Sequence, residues 1–230
     1  MQYHVCLDPG HGPGCANRSP DGSFEEQAFA MDMAQRIARL LRAQGVMVTM
    51  TRSASEYPSL QKRCQIANGI PKLSLFVSLH SNAAGGAGWN EAHGHMLLTS
   101  APGEKAERNR AAGAILAEWK KLGIPLRPNP LRHQGFAVLR DTIAAAVLLE
   151  HGFHTNREEV AMLKDSDFRA KLAEADARGI LAYLGFPCAL GQEADRARVA
   201  LRFGLQEETL DYLEAYPFGK ELLHKLAEGR

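Results

Sequence analysis

Apolar and polar positions alternate over residues 3 to 8 and then stop at Pro9-Gly10, which reads as a short strand; Val46 to Thr51 repeats the pattern. Between them, from about Phe24 to Gln44, Phe29, Met33, Ile37, Leu40 and Leu41 recur at helical spacing, and Gly45 is a natural stop. The result is a strand-helix-strand unit. A second helix is expected over about Ser59 to Asn68, ahead of the apolar strand Leu73 to His80. After a Gly-rich turn at 84 to 88, Gly94 to Thr99 reads as a strand and Glu104 to Leu122 as a helix. A loop rich in Pro and Arg spans 124 to 135. Phe136 to Leu139 and Ala145 to Leu149 are the last two strands, and helices follow over about Arg157 to Leu163 and Phe168 to Leu184.

Strands alternating with helices predict an α/β fold: a twisted, mainly parallel sheet of about six strands with helices on both faces. Such sheets bind ligands beyond the carboxyl ends of their strands. The pattern breaks at Gly185-Phe186-Pro187, so residues 1–186 are expected to form one catalytic-size domain. Residues 187–230 form a small helical segment of two or three short helices. Its apolar set is Val199, Leu201, Phe203, Leu205, Leu210, Leu213, Phe218, Leu222 and Leu226. About 40 residues is near the lower limit for independent folding, so this segment is expected to pack on the main domain or pair with a second copy as a homodimer.

Composition narrows the function. The 230 residues are 45% hydrophobic, enough for a full core, and 27 basic against 26 acidic residues leave a net charge of +1. That balance argues against a nucleic-acid partner. No apolar run reaches the roughly 20 residues needed to cross a bilayer, so no membrane insertion is expected. The segment from Met1 enters a strand without a charged and then apolar leader, which reads as synthesis in the cytoplasm without a signal peptide. Cys6, Cys15, Cys64 and Cys188 are widely spaced, with no Cys-x-x-Cys pair, and read as reduced packing residues.

Four short pieces carry the chemistry: Asp8-Pro9-Gly10-His11-Gly12, a glutamate at the start of the first helix, Ser78-Leu79-His80-Ser81-Asn82, and Glu150-His151-Gly152-Phe153. Two imidazoles and a carboxylate make a three-ligand set for a catalytic zinc, with a fourth position open to water or substrate. The glycines beside His11 let its backbone come close to an ion. A phosphate loop is disfavoured, because the Lys-Ser/Thr of a P-loop and the G-x-G-x-x-G spacing are both missing. Glu150 closes the run Ala145 to Leu149, an expensive place for a carboxylate with no specific role.

In their order and spacing these pieces resemble the zinc-dependent N-acetylmuramoyl-L-alanine amidases, whose motifs read D-P-G-H-G, an early Glu, S-(I/L)-H-x-N and E-x-G-F-x-x-N. The resemblance covers about residues 3 to 185. It implies Zn2+ as cofactor and peptidoglycan as substrate, with cleavage of the amide between N-acetylmuramic acid and L-alanine. It also implies His11 and His80 as zinc ligands with a glutamate from Phe24-Glu25-Glu26-Gln27, and Glu150 as the catalytic residue. Glu25 or Glu26 could serve; counting from Gly45 and from Ser19-Pro20-Asp21-Gly22 favours Glu26.

Other residues read less specifically. Asp8 could hold a ligand histidine or cap the turn, and Asn82 and Asn156 could orient loops or touch substrate. His93 and His95, two apart on a strand, are expected to share a face as cleft-lining or exposed side chains. His133, His151, His154, Arg127, Arg132 and Arg140 could meet stem-peptide carboxylates, although solvated surface charge is the plainer account of each. Two departures from the family pattern, Ile143-Ala144-Ala145 in place of a proline and Gln27-Ala28 in place of Lys-Asp, bear on substrate preference.

The expectation is thus a cell-wall-lysing amidase of endolysin or autolysin type, released by a holin-type route or by lysis. The competing readings are an inactive peptidoglycan-binding module and a zinc peptidase acting within the stem peptide. Residues 187–230 are expected to serve wall targeting or self-association.

Overall fold

The computed structural model describes residues 3–86, 88–102, 106–186, 195–196, 199–200 and 202–228. Two compact units emerge, residues 1–185 and 186–230.

In the first unit, β1 (His4–Pro9), α1 (Glu26–Ala43), β2 (Met47–Met50), α2 (Leu60–Asn68), β3 (Leu75–Asn82) and β4 (His95–Thr99) follow the expected order. Then come α3 (Ala106–Lys121), β5 (Leu126–His133), α4 (Ala137–Arg140), β6 (Ala146–Phe153), α5 (Arg157–Lys164) and α6 (Ser166–Leu184). The six strands form one sheet in the order β2-β1-β3-β6-β4-β5. Every pairing is parallel except β4 with β6, which is antiparallel.

Local chemistry explains the elements. The apolar stripe of α1 buries Phe29, Met33, Ile37 and Leu41, each worth about 1.5–3 kcal/mol on transfer from water. The helix ends where Gly45, at φ 76°, lets its own N–H and that of Val46 reach the carbonyls of Arg42 and Leu41. Ser59 caps α2 by accepting from the Lys62 N–H at 3.2 Å. The helices cover both faces. Cys64 and Ala67 of α2 and Val138 and Leu139 of α4 share a core with Cys6, Phe76, Leu98 and Leu148, whereas α1, α3 and α6 pack together on the opposite side. Gly179 of α6 lies so close to α3 that a Cβ there would fall 2.3 Å from the Ile115 Cα.

Two expectations fail. Phe136 to Leu139 is not a strand: Ala137–Arg140 is the one-turn helix α4. The segment read as a Pro- and Arg-rich loop contains β5 instead. As the edge strand beside β4 alone, β5 needs only one side of its backbone for pairing, so Pro128 and Pro130 are tolerated. Cys6, Cys15 and Cys64 are free thiols, as expected. Glu104 and Cys188 lie outside the described residues.

The second unit contains α7 (Glu207–Glu214) and α8 (Gly219–Glu228). Its core is Val199, Leu210 and Leu223, while Phe203, Phe218 and Leu222, expected in the apolar set, are exposed; Leu201 lies outside the described residues. Arg196 pairs with Glu207, Asp211 and Glu214. No helix among the described residues is long and apolar enough to cross a membrane.

Candidate functional site

The carboxyl ends of β1 and β3 meet the first turn of α1. Pro9 pairs with Leu79, and the Gly10 N–H donates to the Leu79 carbonyl at 2.9 Å, so the Gly10-His11 turn sits beside His80. A Cβ on Gly10 would fall 2.3 Å from the His80 ring, which is why a glycine stands there. His11 itself adopts φ 55°, in the left-handed region where histidine is among the more tolerated residues.

Glu26, the first residue of α1, is 2% exposed and points into this junction. Its Oε1 lies 3.2 Å from His11 Nε2 and 2.8 Å from His80 Nδ1, and also accepts the Ser81 N–H at 3.2 Å. One ligand atom from each of the three side chains lies within 4.8 Å of the others, so they could hold a metal ion. Zinc bonds of about 2.0–2.2 Å in a tetrahedral arrangement would put donor atoms about 3.4 Å apart, well inside that range. Burial alone would raise the Glu26 carboxyl, but hydrogen bonds and charge from His11 and His80 outweigh it and hold the group well below the usual carboxylate range. His80 responds in turn: burial would lower it, and the Glu26 hydrogen bond and charge carry it upward. Glu25, the other glutamate considered, is exposed, and its carboxylate accepts from the Gln27 side-chain amide.

Glu150 lies inside β6 rather than closing it, with His80 as its partner on β3 and Met96 on β4. Paired residues of adjacent strands project from the same face, so Glu150 stands beside His80. Burial raises its carboxyl to about 7, with the Glu26 charge adding to the rise and His80 opposing it. Its Oε2 is buried and has no hydrogen-bond partner among the described residues.

A buried polar network, including Arg63 and Arg52, which the sequence reading did not single out, braces this junction. Asp8 does not touch a ligand histidine; it accepts from Thr51 at 2.5 Å, Ser78 at 2.7 Å and Arg63 at 2.8 Å. The buried Arg63 fork also donates to the carbonyls of Pro9 and His11, and Arg52 donates to those of Pro9, Gly10 and Gln27. Arg63 was legible in one respect: it falls beside Cys64 on the buried side of α2, an odd place for an unpaired cation. Glu159 fixes the far end of β6, accepting from Gly94 N–H at 2.8 Å and Phe153 N–H at 2.7 Å. A Cβ on Gly152, which adopts φ 67°, would press against that carboxylate at 3.2 Å.

The remaining expectations sort as follows. Asn156 is the cap of α5, accepting from the N–H groups of Glu158 and Glu159. Asn82 bonds the adjacent Ala83 N–H and Met96 Sδ. His93 and His95 do not share a strand face: His93 is exposed ahead of β4, and His95 is buried against Trp119, His151 and Phe168. His151 is fully buried 3.1 Å from Asp176 and is no surface charge. His154, also buried, meets Ser81 Oγ at 2.9 Å and lies 3.9 Å from Glu26 Oε2. His133 pairs with Thr99, Arg127 lies over Phe153, Arg132 bonds nearby carbonyls and Arg140 pairs with Asp141.

A cleft of about 490 Å³ opens from His11 and His80 toward Tyr57, Pro58, Leu60 and Val138. Its walls are largely apolar.

A family model described as N-acetylmuramoyl-L-alanine amidase matches residues 5–182. An endolysin of Bacillus phage SPP1 is 30% identical over 85% of this chain and 71% of its own length. The N-acetylmuramoyl-L-alanine amidase CwlM of Bacillus licheniformis is 30% identical over 76% of this chain and 66% of its own. Among solved structures, the catalytic domain of the amidase CwlV from Bacillus (Paenibacillus) polymyxa superposes with a TM-score of 0.70 at 29% identity, covering 81% of this chain and all of that one. An N-acetylmuramoyl-L-alanine amidase from Clostridium difficile gives 0.73 at 26% identity, over 80% and 97%.

Proposed function

Because this chain belongs to the N-acetylmuramoyl-L-alanine amidase family, we propose that it hydrolyses the amide joining N-acetylmuramic acid to L-alanine in peptidoglycan, with His11, Glu26 and His80 holding a zinc ion and Glu150 as the catalytic residue. The convergence of those three side chains beside the half-buried Glu150, whose Oε2 is enclosed, carries the reading.

Two imidazole nitrogens and one carboxylate oxygen are a donor set suited to zinc with an open coordination position. Zinc held by these three side chains would supply Lewis acidity toward the amide carbonyl and a bound water. The residues of the chain do the rest. Arg63 and Arg52 fix the turn that carries His11, and the apolar walls of the cleft offer a surface for an uncharged part of the substrate. Glu150, raised to about 7 by burial, can both accept and return a proton near neutrality. It takes a proton from the attacking water as the oxygen adds to the carbonyl carbon. It then delivers that proton to the amide nitrogen as the C–N bond breaks, leaving a lactyl carboxylate and the amino group of L-alanine.

The cell wall is therefore the place of action. For residues 187–230 we propose wall targeting or self-association, supported by the exposed Tyr212, Tyr216 and Phe218. Incubating the protein with purified walls tests the activity: new L-alanine amino groups are expected, with about one zinc per catalytic unit. Reducing sugar, or cleavage between stem amino acids, would overturn the assignment.

A further inference from the structure

A second hollow, of about 300 Å³, lies between Trp89, Arg157, Lys164 and Asp21, with Val160 and Ala161 of α5 as its wall. The Arg157 guanidinium stacks over the Trp89 ring at 4.4 Å. Stacking fixes the plane of the fork and leaves its N–H edges free to meet an anion. Neither Arg157 nor Lys164 has an ion-pair partner among the described residues, whereas Arg140 pairs with Asp141 and Arg132 donates to the Asn129 and Pro128 carbonyls. Asp21 stands at the opposite rim. Its Oδ1 accepts from Ser19 and Ser23, and the carboxylate remains an acceptor for a ligand N–H.

The hollow adjoins the site through the chain itself. Arg157 follows His154 by three residues, so three Cα steps of 3.8 Å bound their separation at about 11 Å; His154 lies 3.9 Å from Glu26. The loop bearing Trp89 is tied to the same stretch, for Asn90 N–H donates to the Thr155 carbonyl and Ala84 N–H to the Thr155 hydroxyl. The apolar cleft, by contrast, is walled by α2 and α4 on one face of the sheet, while α5 packs with α6 on the other. The substrate has matching halves. A sugar presents an uncharged ring with apolar faces, suited to Tyr57 and Pro58, and a stem peptide carries carboxylates, suited to Arg157 and Lys164. Four extended residues span about 13 Å, enough to lead from the scissile amide to this hollow.

We propose that the hollow formed by Trp89, Arg157 and Lys164 is the subsite for the carboxylates of the stem peptide, an inference that rests on the amidase reading. It makes the enzyme selective for stems with free carboxylates over amidated ones.

The test compares two soluble muropeptides, one with free stem carboxylates and one with the same groups amidated, on wild type, Arg157→Gln and Lys164→Gln. Wild type is expected to show a KM about five- to tenfold lower for the free acid, a preference that Arg157→Gln abolishes while kcat changes little. Zinc content should be the same in all three proteins. In a second arm, a sugar-free stem peptide is titrated calorimetrically into each protein, and its binding should weaken by the same factor in Arg157→Gln. Equal effects of the substitution on both muropeptides, or unchanged peptide binding, would overturn the subsite. A wild type that cleaves neither muropeptide sinks the amidase reading instead, and the peptide titration then decides the subsite alone.

Discussion

His80 Nδ1 and Glu26 Oε1 lie 2.8 Å apart although 54 positions separate them in sequence. The contact joins the end of one central strand to the first turn of the helix that follows the other. Because the two side chains are held by different elements, each can be altered while its host element keeps its packing.

Glu26→Gln is therefore expected to weaken zinc binding more than the roughly 10–100-fold that outer-shell changes cost, while Glu25→Gln leaves it unchanged. Metal content after dialysis against a graded chelator reads the difference. Equal retention by both variants would remove Glu26 from the ligand set.

Glu150→Gln should keep the metal and lose about 10²- to 10⁴-fold in kcat, the usual contribution of a positioned acid-base group. His80→Ala should lose both metal and activity. Parallel zinc assays and wall-solubilisation rates separate catalyst from ligand; a Glu150→Gln enzyme of normal rate would end the catalytic assignment.

Asp8 and Arg63 are 1% and 2% exposed and 2.8 Å apart. Removing one charge strands the other, so Arg63→Met is expected to cost about 3–5 kcal/mol in urea unfolding. Arg63→Met combined with Asp8→Asn should cost less than the sum of the two single changes, because the pair fails together. Strict additivity would show that the two side chains act independently.

His95 supplies a pH dependence of stability. Burial, together with the His151 charge, lowers its pKa to about 3, while the Pro125 carbonyl opposes the shift; Trp119, Phe168 and His151 face the ring, and Asp176 stands against His151. The unfolded chain takes up this proton near 6.5 and the folded one only near 3, so protons favour unfolding between those values. Stability attributable to His95 should be complete above pH 6.5 and fall by about 1.4 kcal/mol per pH unit below it. A His95→Phe variant should show a shallower acid limb in denaturant titrations across that window. An identical limb would exclude His95 as its source.

Truncation after Phe186 should leave hydrolysis of soluble muropeptides intact and reduce either wall affinity or solution mass. A pull-down on insoluble walls and light scattering distinguish targeting from self-association. If neither changes, residues 187–230 have neither role.

The motif histidines and Glu150 were legible because each sits at a pattern break: His11 between glycines, His80 at the end of an apolar run, Glu150 after one. The β5 edge strand was not, since its prolines look like loop until an edge position makes the missing N–H groups harmless. The burial of His95 and His151 was equally hidden. Both face α3 and α6, helices whose approach depends on Gly179, and no local pattern reports that contact.

On its own, the sequence determined the local matters: which stretches alternate with period two or with 3.6, where glycine ends a helix, and which residue types could serve a metal. Tertiary structure decided the matters of distance and solvation. It buried Glu26 and exposed Glu25, although the two are adjacent, because Glu25 is the extended cap residue paired with Arg18, while Glu26 opens α1 at the junction of β1 and β3, where His11, His80 and Ser81 meet it. It also turned Arg63 and Asp8 from two isolated charges into the brace of the His11 turn. Burial and proximity depend on contacts between residues tens of positions apart, and these exist only once the sheet has assembled.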